Sequence, residues 1–258
     1  MESETNTATL DAFHRGRFHL VQPAARGHRS GIDAMLLAGA VPDGFSGDLA
    51  DLGAGAGAAG FAVASRCPAA RVTLVERAAE MADYARRSAA LRENNAFAGR
   101  TSVIEADVAL AGKARVAAGL ADRSYDFIIM NPPFNDARDR ATPHALKREA
   151  HVMEDGMFER WIKTAAAIAR PSAGLAIIAR AGSTEEILGA LGGRFGGIEM
   201  LPIHPHEDEA AIRIVVRAIK GSRGGLRILP GLILHRGTPG YCAHAEAVIN
   251  GQAALFGD

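Results

Sequence analysis

Asp51 to Gly60 reads D-L-G-A-G-A-G-A-A-G. An apolar β-like run, Asp48 to Leu52, leads into it, and a helix-forming pattern, Ala58 to Ser65, leaves it. The glycines at 53, 55, 57 and 60 therefore stand where a strand turns into a helix. Without side chains there, the backbone can pass close to a ligand and take up positive φ. Gly55 to Gly60 also satisfies G-x-G-x-x-G, a pattern that serves a dinucleotide equally well.

Outward from this turn the alternation continues. Arg71 to Glu76, Thr101 to Glu105, Tyr125 to Met130 and Gly174 to Ala179 read as further strands. Ala78 to Asn94, Ala109 to Leu120 and Glu154 to Ala169 read as helices. Strands alternating with helices predict an α/β domain built on a mostly parallel sheet. Gly197 to Ile203 and Ile212 to Ile219 are separated only by H-P-H-E-D-E-A-A, too short for a crossover helix, so the final pair must be antiparallel. Residues 1–46 are expected to form an N-terminal extension, with a hairpin around Phe18 to Gln22 and a helix over Ile32 to Ala40 capped by Ser30 or Asp33. Residues 47–220 hold the main domain, and 221–258 a glycine- and proline-rich arm ending in a helix at Ala243 to Ile249.

Composition removes several classes of function. The 258 residues contain no stretch of 18 apolar residues, so no membrane helix is expected. Met1 to Leu10 lacks the basic end and apolar centre of a signal peptide, and two cysteines make no disulfide framework, which points to the cytoplasm. Lys plus Arg number 29 and Asp plus Glu 29. No global field draws a polyanion, and any nucleic-acid contact must use a local patch.

Three acids accompany the glycines. Glu76 ends its run about twenty residues after the turn, where a carboxylate accepts from ribose hydroxyls. Asp107 ends the next run and is placed to accept from an adenine amine or to cap a following helix. Asp51 precedes the glycines. A pyrophosphate would be repelled by an acid there, whereas the ammonium and sulfonium of S-adenosylmethionine would be attracted. The sign of the charge favours the methyl donor.

Asn131-Pro132-Pro133-Phe134 follows the fourth run directly. An exocyclic amine is a poor nucleophile because its lone pair is delocalised into the ring. Two carbonyls, the Asn131 side chain and the Pro132 backbone, can accept its two hydrogens and favour the pyramidal form. The prolines rigidify the segment, and Phe134 offers a face for a flipped planar group.

Together, the glycine turn with Gly53, Gly55 and Gly57, the acids Glu76 and Asp107, and N-P-P-F resemble the amino-group S-adenosylmethionine-dependent methyltransferases. That resemblance implies a Rossmann-like methyltransferase fold with a mostly parallel seven-stranded sheet and an antiparallel final strand. G-H-R-S-G-I-D at Gly27 to Asp33, R-C-P-A-A-R-V-T-L-V-E at Arg66 to Glu76, and L-P-G-L-I-L-H followed by Y-C-A-H-A-E-A are similar to the bacterial tRNA adenine-N6 methyltransferases acting on valine tRNA. The resemblance implies transfer to an RNA adenosine next to the anticodon and places Asp33 against the donor. Protein glutamine and small-molecule acceptors stay open as alternatives, since an amide nitrogen poses the same electronic problem. Where the family often has Tyr, position 134 is Phe, which keeps the stacking face.

Arg213, Arg217, Lys220, Arg223 and Arg227 put five positive charges in fifteen residues with no acid among them, a candidate RNA patch. Residues 136–149 are candidates for a lid. His204 and His206 lie in a turn without a second cluster at ligand spacing, so no metal is expected. Trp161 reads as core packing.

Overall fold

The computed structural model of the chain describes residues 8–24, 31–133, 135–136, 152–153, 156–237 and 240–258. An N-terminal hairpin, β1 (Ala8–Phe13) and β2 (Phe18–Pro23), precedes α1 (Ile32–Gly39). The alternating region follows: β3 (Gly47–Leu52), α2 (Ala58–Arg66), β4 (Ala70–Glu76), α3 (Ala79–Ala89), α4 (Asn95–Ala98), β5 (Thr101–Glu105), α5 (Gly112–Ala117) and β6 (Tyr125–Met130). Two short strands, β7 (Asn135–Asp136) and β8 (Val152–Met153), pair with each other. Then come α6 (Met157–Ile168), β9 (Ala169–Ala179), α7 (Thr184–Leu191), β10 (Phe195–His204), β11 (Arg213–Lys220), β12 (Arg227–Ile228), β13 (Leu232–Ile233) and α8 (Ala243–Ile249).

The main sheet runs β12-β10-β11-β9-β6-β3-β4-β5, with β13 also on β10. Strands β3, β4, β5, β6 and β9 pair in parallel, and β11 is antiparallel to both β9 and β10. The expected antiparallel pair is therefore present, with the last long strand inserted inside the sheet. The sheet has nine strands rather than the expected seven. The extra two come from the arm read as loop, which adds β12 and β13 parallel to β10.

Strand alternation divides the core between two faces. Leu49, Leu74, Ile129 and Ile178 pack with α1, α2 and α8 on one side, and Ala50, Val75, Ile128 and Ile177 with α6 and α7 on the other. Phe127 to Met130 are all buried, as a central parallel strand covered on both faces requires.

Two helices are much shorter than their periodicity predicts, and α4 and α7 have no counterpart in the sequence reading. The pattern over Ala78 to Asn94 stops as α3 at Ala89, because Asn94 turns aside to bond the N–H and C=O of His19 at 2.9 and 2.7 Å. With Ser88 accepting from the Val21 N–H, this docks the hairpin. The pattern over Ala109 to Leu120 yields only Gly112–Ala117, since Asp107 holds Ala109 and Leu110 in a turn. Helix α1 starts as expected, but its N-cap is Gly31 with no side-chain cap, and Ser30 lies outside the described residues. Among the described residues no helix is long and apolar enough to cross a membrane.

Leu74 is fully buried beneath the glycine turn, where a Cβ on Gly57 or Gly60 would fall within 2.8 or 2.2 Å of its methyls. Leu74→Ala should cost about 2–5 kcal/mol, the range for a buried leucine that leaves a cavity. Urea denaturation measures it, and a loss under about 1 kcal/mol would mean that the turn does not rest on this side chain.

Candidate active site

The carboxyl edge of the parallel strands gathers most of the residues singled out in the sequence. Asp51, near the end of β3, is 2% exposed, and its Oδ2 accepts the Gly60 N–H at 2.9 Å. Glu76 ends β4; its Oε2 accepts the Gly55 N–H and its Oε1 the Ala78 N–H, each at 2.8 Å. Val75 O accepts from both Gly53 and Ala54 at 2.9 and 3.0 Å. The two carboxylates thus act first on the protein itself, tying the glycine turn to two strand ends. Gly53 has φ +74°, and a Cβ there would lie 2.5 Å from the Trp161 indole, so both conformation and space demand glycine. Trp161 packs against the core as read and also braces this turn from α6.

Above the turn lies a small open cleft, walled by Ala34 of α1, Asp51, Gly53, Gly55, Met81 of α3 and Asn131. The alanines of the turn add small apolar surface to its floor. Nothing in the sequence marked Ala34 or Met81, which only the packing of α1 and α3 around the turn brings here.

Asn131 follows β6 beside β3, and Leu52 pairs with Met130, which sets Asn131 next to Gly53. Its Oδ1 is buried without a hydrogen-bond partner among the described residues. An unpaired buried carbonyl costs about 1–3 kcal/mol, so this acceptor is kept at the expense of stability. Pro132 is buried and Pro133 half-buried beside it. Phe134 and residues 137–149 of the lid candidate lie outside the described residues.

Other expected site residues sit differently. Asp33 accepts from Arg213 Nε at 3.0 Å and is not among the cleft residues; on α1 it is the next residue, Ala34, that turns to the cleft. Asp107 caps the turn through Ala109 N–H at 2.7 Å and also lies off the cleft wall. Gly57 turns inward against Phe61 and Leu74, serving the start of α2.

The five-charge run is not the open patch that the sequence suggested, because the fold brings acids to it from elsewhere. Glu199 pairs with Arg217 and Arg227, Asp258 with Arg217, and Asp33 with Arg213. Arg217 also lies over the Phe256 ring. Among the described residues no group of three His, Cys, Asp or Glu could hold a metal.

Burial pushes the Asp51 carboxyl up to about 7, with the Glu76 charge adding to the effect and the Gly60 N–H opposing it. A buried acid so poised beside a glycine-lined cleft suits a ligand that brings positive charge.

This architecture and this site define a methyltransferase of the S-adenosylmethionine-dependent class. The chain belongs to the Methyltransferase small domain family, whose model matches residues 29–199. Among solved structures, an Agrobacterium tumefaciens protein described as a predicted O-methyltransferase is 46% identical. That match covers 86% of this chain and 98% of that one, with a TM-score of 0.76. A Pyrococcus horikoshii transferase (13% identity, 84% and 74% covered, TM-score 0.56) shares the fold. So does TYW2 of M. jannaschii, solved in complex with AdoMet (12% identity, 83% and 85% covered, TM-score 0.55). No curated protein matches the chain.

Donor binding should depend on pH through Asp51. Its folded pKa of about 7 lies above the ordinary 3.8, so the donor-free fold loses stability as pH rises between those values. A cation beside the carboxylate favours its ionised form. Donor affinity should therefore fall as pH drops below about 7, by up to about tenfold per unit. Calorimetry at pH 6 and 8 should show this, with proton release near neutrality. Asp51→Asn should bind the donor weakly at both pH values, while the donor-free fold at pH 8 becomes more stable than the parent. A parental pH profile in that variant would assign the titration to another group.

Proposed function

We propose that this methyltransferase acts on the N6 amine of an adenosine in tRNA, beside the anticodon. The observation that carries the reading is the buried Oδ1 of Asn131, a residue on the wall of the glycine-lined cleft, without a hydrogen-bond partner among the described residues. A carbonyl held without a partner is a place prepared for a donor N–H. The N-P-P-F segment and the flanking sequences at Gly27 to Asp33 and in the C-terminal arm support a nucleobase amine as the group that fills it.

S-adenosylmethionine supplies an electrophilic sulfonium methyl. The rest belongs to the chain. Asn131 Oδ1 accepts one amine hydrogen and the Pro132 carbonyl the other, which localises the nitrogen lone pair. The consecutive prolines fix the spacing of the two acceptors. Asp51 and Glu76 hold the turn and place negative charge near the donor. Phe134 provides the face on which the base stacks. An alcohol offers one hydrogen where an amine offers two, so a pair of carbonyl acceptors matches nitrogen better than oxygen. After transfer the surplus proton leaves to water.

Asn131→Ala should leave donor affinity near the parental value and cut transfer by a factor on the order of 100, as for losing one preorganised partner of the transition state. Single-turnover transfer to unmodified tRNA transcripts, with donor titration in parallel, measures both. Parental transfer in the variant would remove Asn131 from the chemistry. Loss of donor binding would move it to the donor site. Product mapped to a ribose oxygen or to protein would replace the adenosine reading.

A further inference from the structure

We infer that Arg77, Arg180 and Arg213 form a cationic collar around the acceptor mouth and take the phosphates of the RNA that presents the target base. This rests on the RNA reading above and assigns its contact surface. The three come from separate parts of the chain. Arg77 directly follows β4, Arg180 directly follows β9, and Arg213 opens β11. Because β11 is antiparallel to β9, all three stand at the same edge of the sheet as Asn131. In the order β11-β9-β6-β3-β4, Arg180 is one strand from the strand of Asn131, and Arg213 and Arg77 are two strands away on opposite sides. At about 4.8 Å per strand, each lies within roughly 10 Å laterally of it.

The fold itself does not favour cations in these places. Ile214 pairs with Ala179, so extending the register by one residue sets Arg213 opposite Arg180, and like charges across strands destabilise. Arg213 is paired with Asp33, and Arg180 has a contact of its own within the chain. Arg77 and Arg180 each lie a few residues before a helix, α3 and α7, whose positive dipole end disfavours a cation. Glu80 and Glu185 already supply the anions that those first turns prefer. Arg77 and Arg180 are exposed. Each of the three has contacts within the chain, and a guanidinium with five N–H donors can be held by one partner while it presents a fork to a phosphate.

Lys220 and Arg223 make the contrast. Lys220 ends β11 seven residues after Arg213, roughly 23 Å further along the strand, at the opposite edge of the sheet. There it lies against Phe195, and desolvation together with Arg194 and Arg123 lowers its pKa.

The test compares Arg77→Gln/Arg180→Gln with Lys220→Gln/Arg223→Gln, using unmodified tRNA transcripts at several salt concentrations. The collar variant should bind RNA on the order of tenfold more weakly, with a salt slope shallower by roughly 1.5, as two lost phosphate contacts require. Its donor affinity should match the parent, which also verifies folding; if the double variant is unstable, Arg180→Gln alone should show about half the change in slope. The opposite-edge variant should bind as the parent does. RNA methylation by the parent with a parental slope in the collar variant would overturn the collar and leave the RNA reading intact. A parent that binds no RNA and methylates protein would overturn both.

Discussion

Everything at the working edge depends on two carboxylates bonded to backbone N–H groups of one turn. Asp51 holds Gly60 and Glu76 holds Gly55, so the ends of β3 and β4 together fix the path between β3 and α2. The consequence is close approach: α2 lies so near β4 that Gly60 has no room for a Cβ, and α6 brings Trp161 against Gly53. The cleft exists because the backbone at its floor has been drawn down and stripped of side chains. Its other walls, α1 and α3, pack around that fixed floor.

This arrangement explains which parts of the molecule could be read in advance. Thr101–Glu105 and Tyr125–Met130 appear in the structure with the bounds their patterns predict, and for the second, burial of Phe127 to Met130 on both faces leaves an unbroken apolar signal. The glycine turn was legible for a related reason: close backbone approach and positive φ need glycine at particular local spacing. Elements decided by distant partners were not. Nothing local announces that Asn94 will leave a helix to bond His19, or that residues 227–228 and 232–233 will extend a sheet at β10. The resemblance places Asp33 against the donor, and Asp107 reads as an adenine contact or a cap; packing pairs Asp33 with Arg213, and Asp107 caps the turn after β5.

Charge shows the same division more sharply. The run from Arg213 to Arg227 is dense in sequence but spread along a strand and its connection, from one edge of the sheet to the other, and most of it meets carboxylates contributed by Asp33, Glu199 and Asp258. Arg77 and Arg180 attract no notice in sequence, being about a hundred residues apart. Sheet order then sets them on either side of one acceptor. Clustering of like charge along a chain is thus a poor guide in a fold whose strands run from edge to edge, and strand termini are the better place to look.

The residue at 131 completes the electrostatic logic. Asp51 and Glu76 already set two carboxylates at neighbouring strand ends, and burial keeps Asp51 near the limit of what can stay ionised at neutral pH. A third carboxylate at the cleft wall would raise that pKa further, so the site would carry a proton instead of the charge that suits a cationic donor. An amide supplies an acceptor without charge. In the proposed reaction it leaves Asp51 to answer the sulfonium and keeps its own carbonyl for a neutral amine. The cost is a buried oxygen that has no protein partner among the described residues, set beside a core whose two faces are closely filled. The proposed division of labour between a buried acid on β3 and an amide after β6 follows from the need to place two ligands of different charge in adjacent strand-end positions.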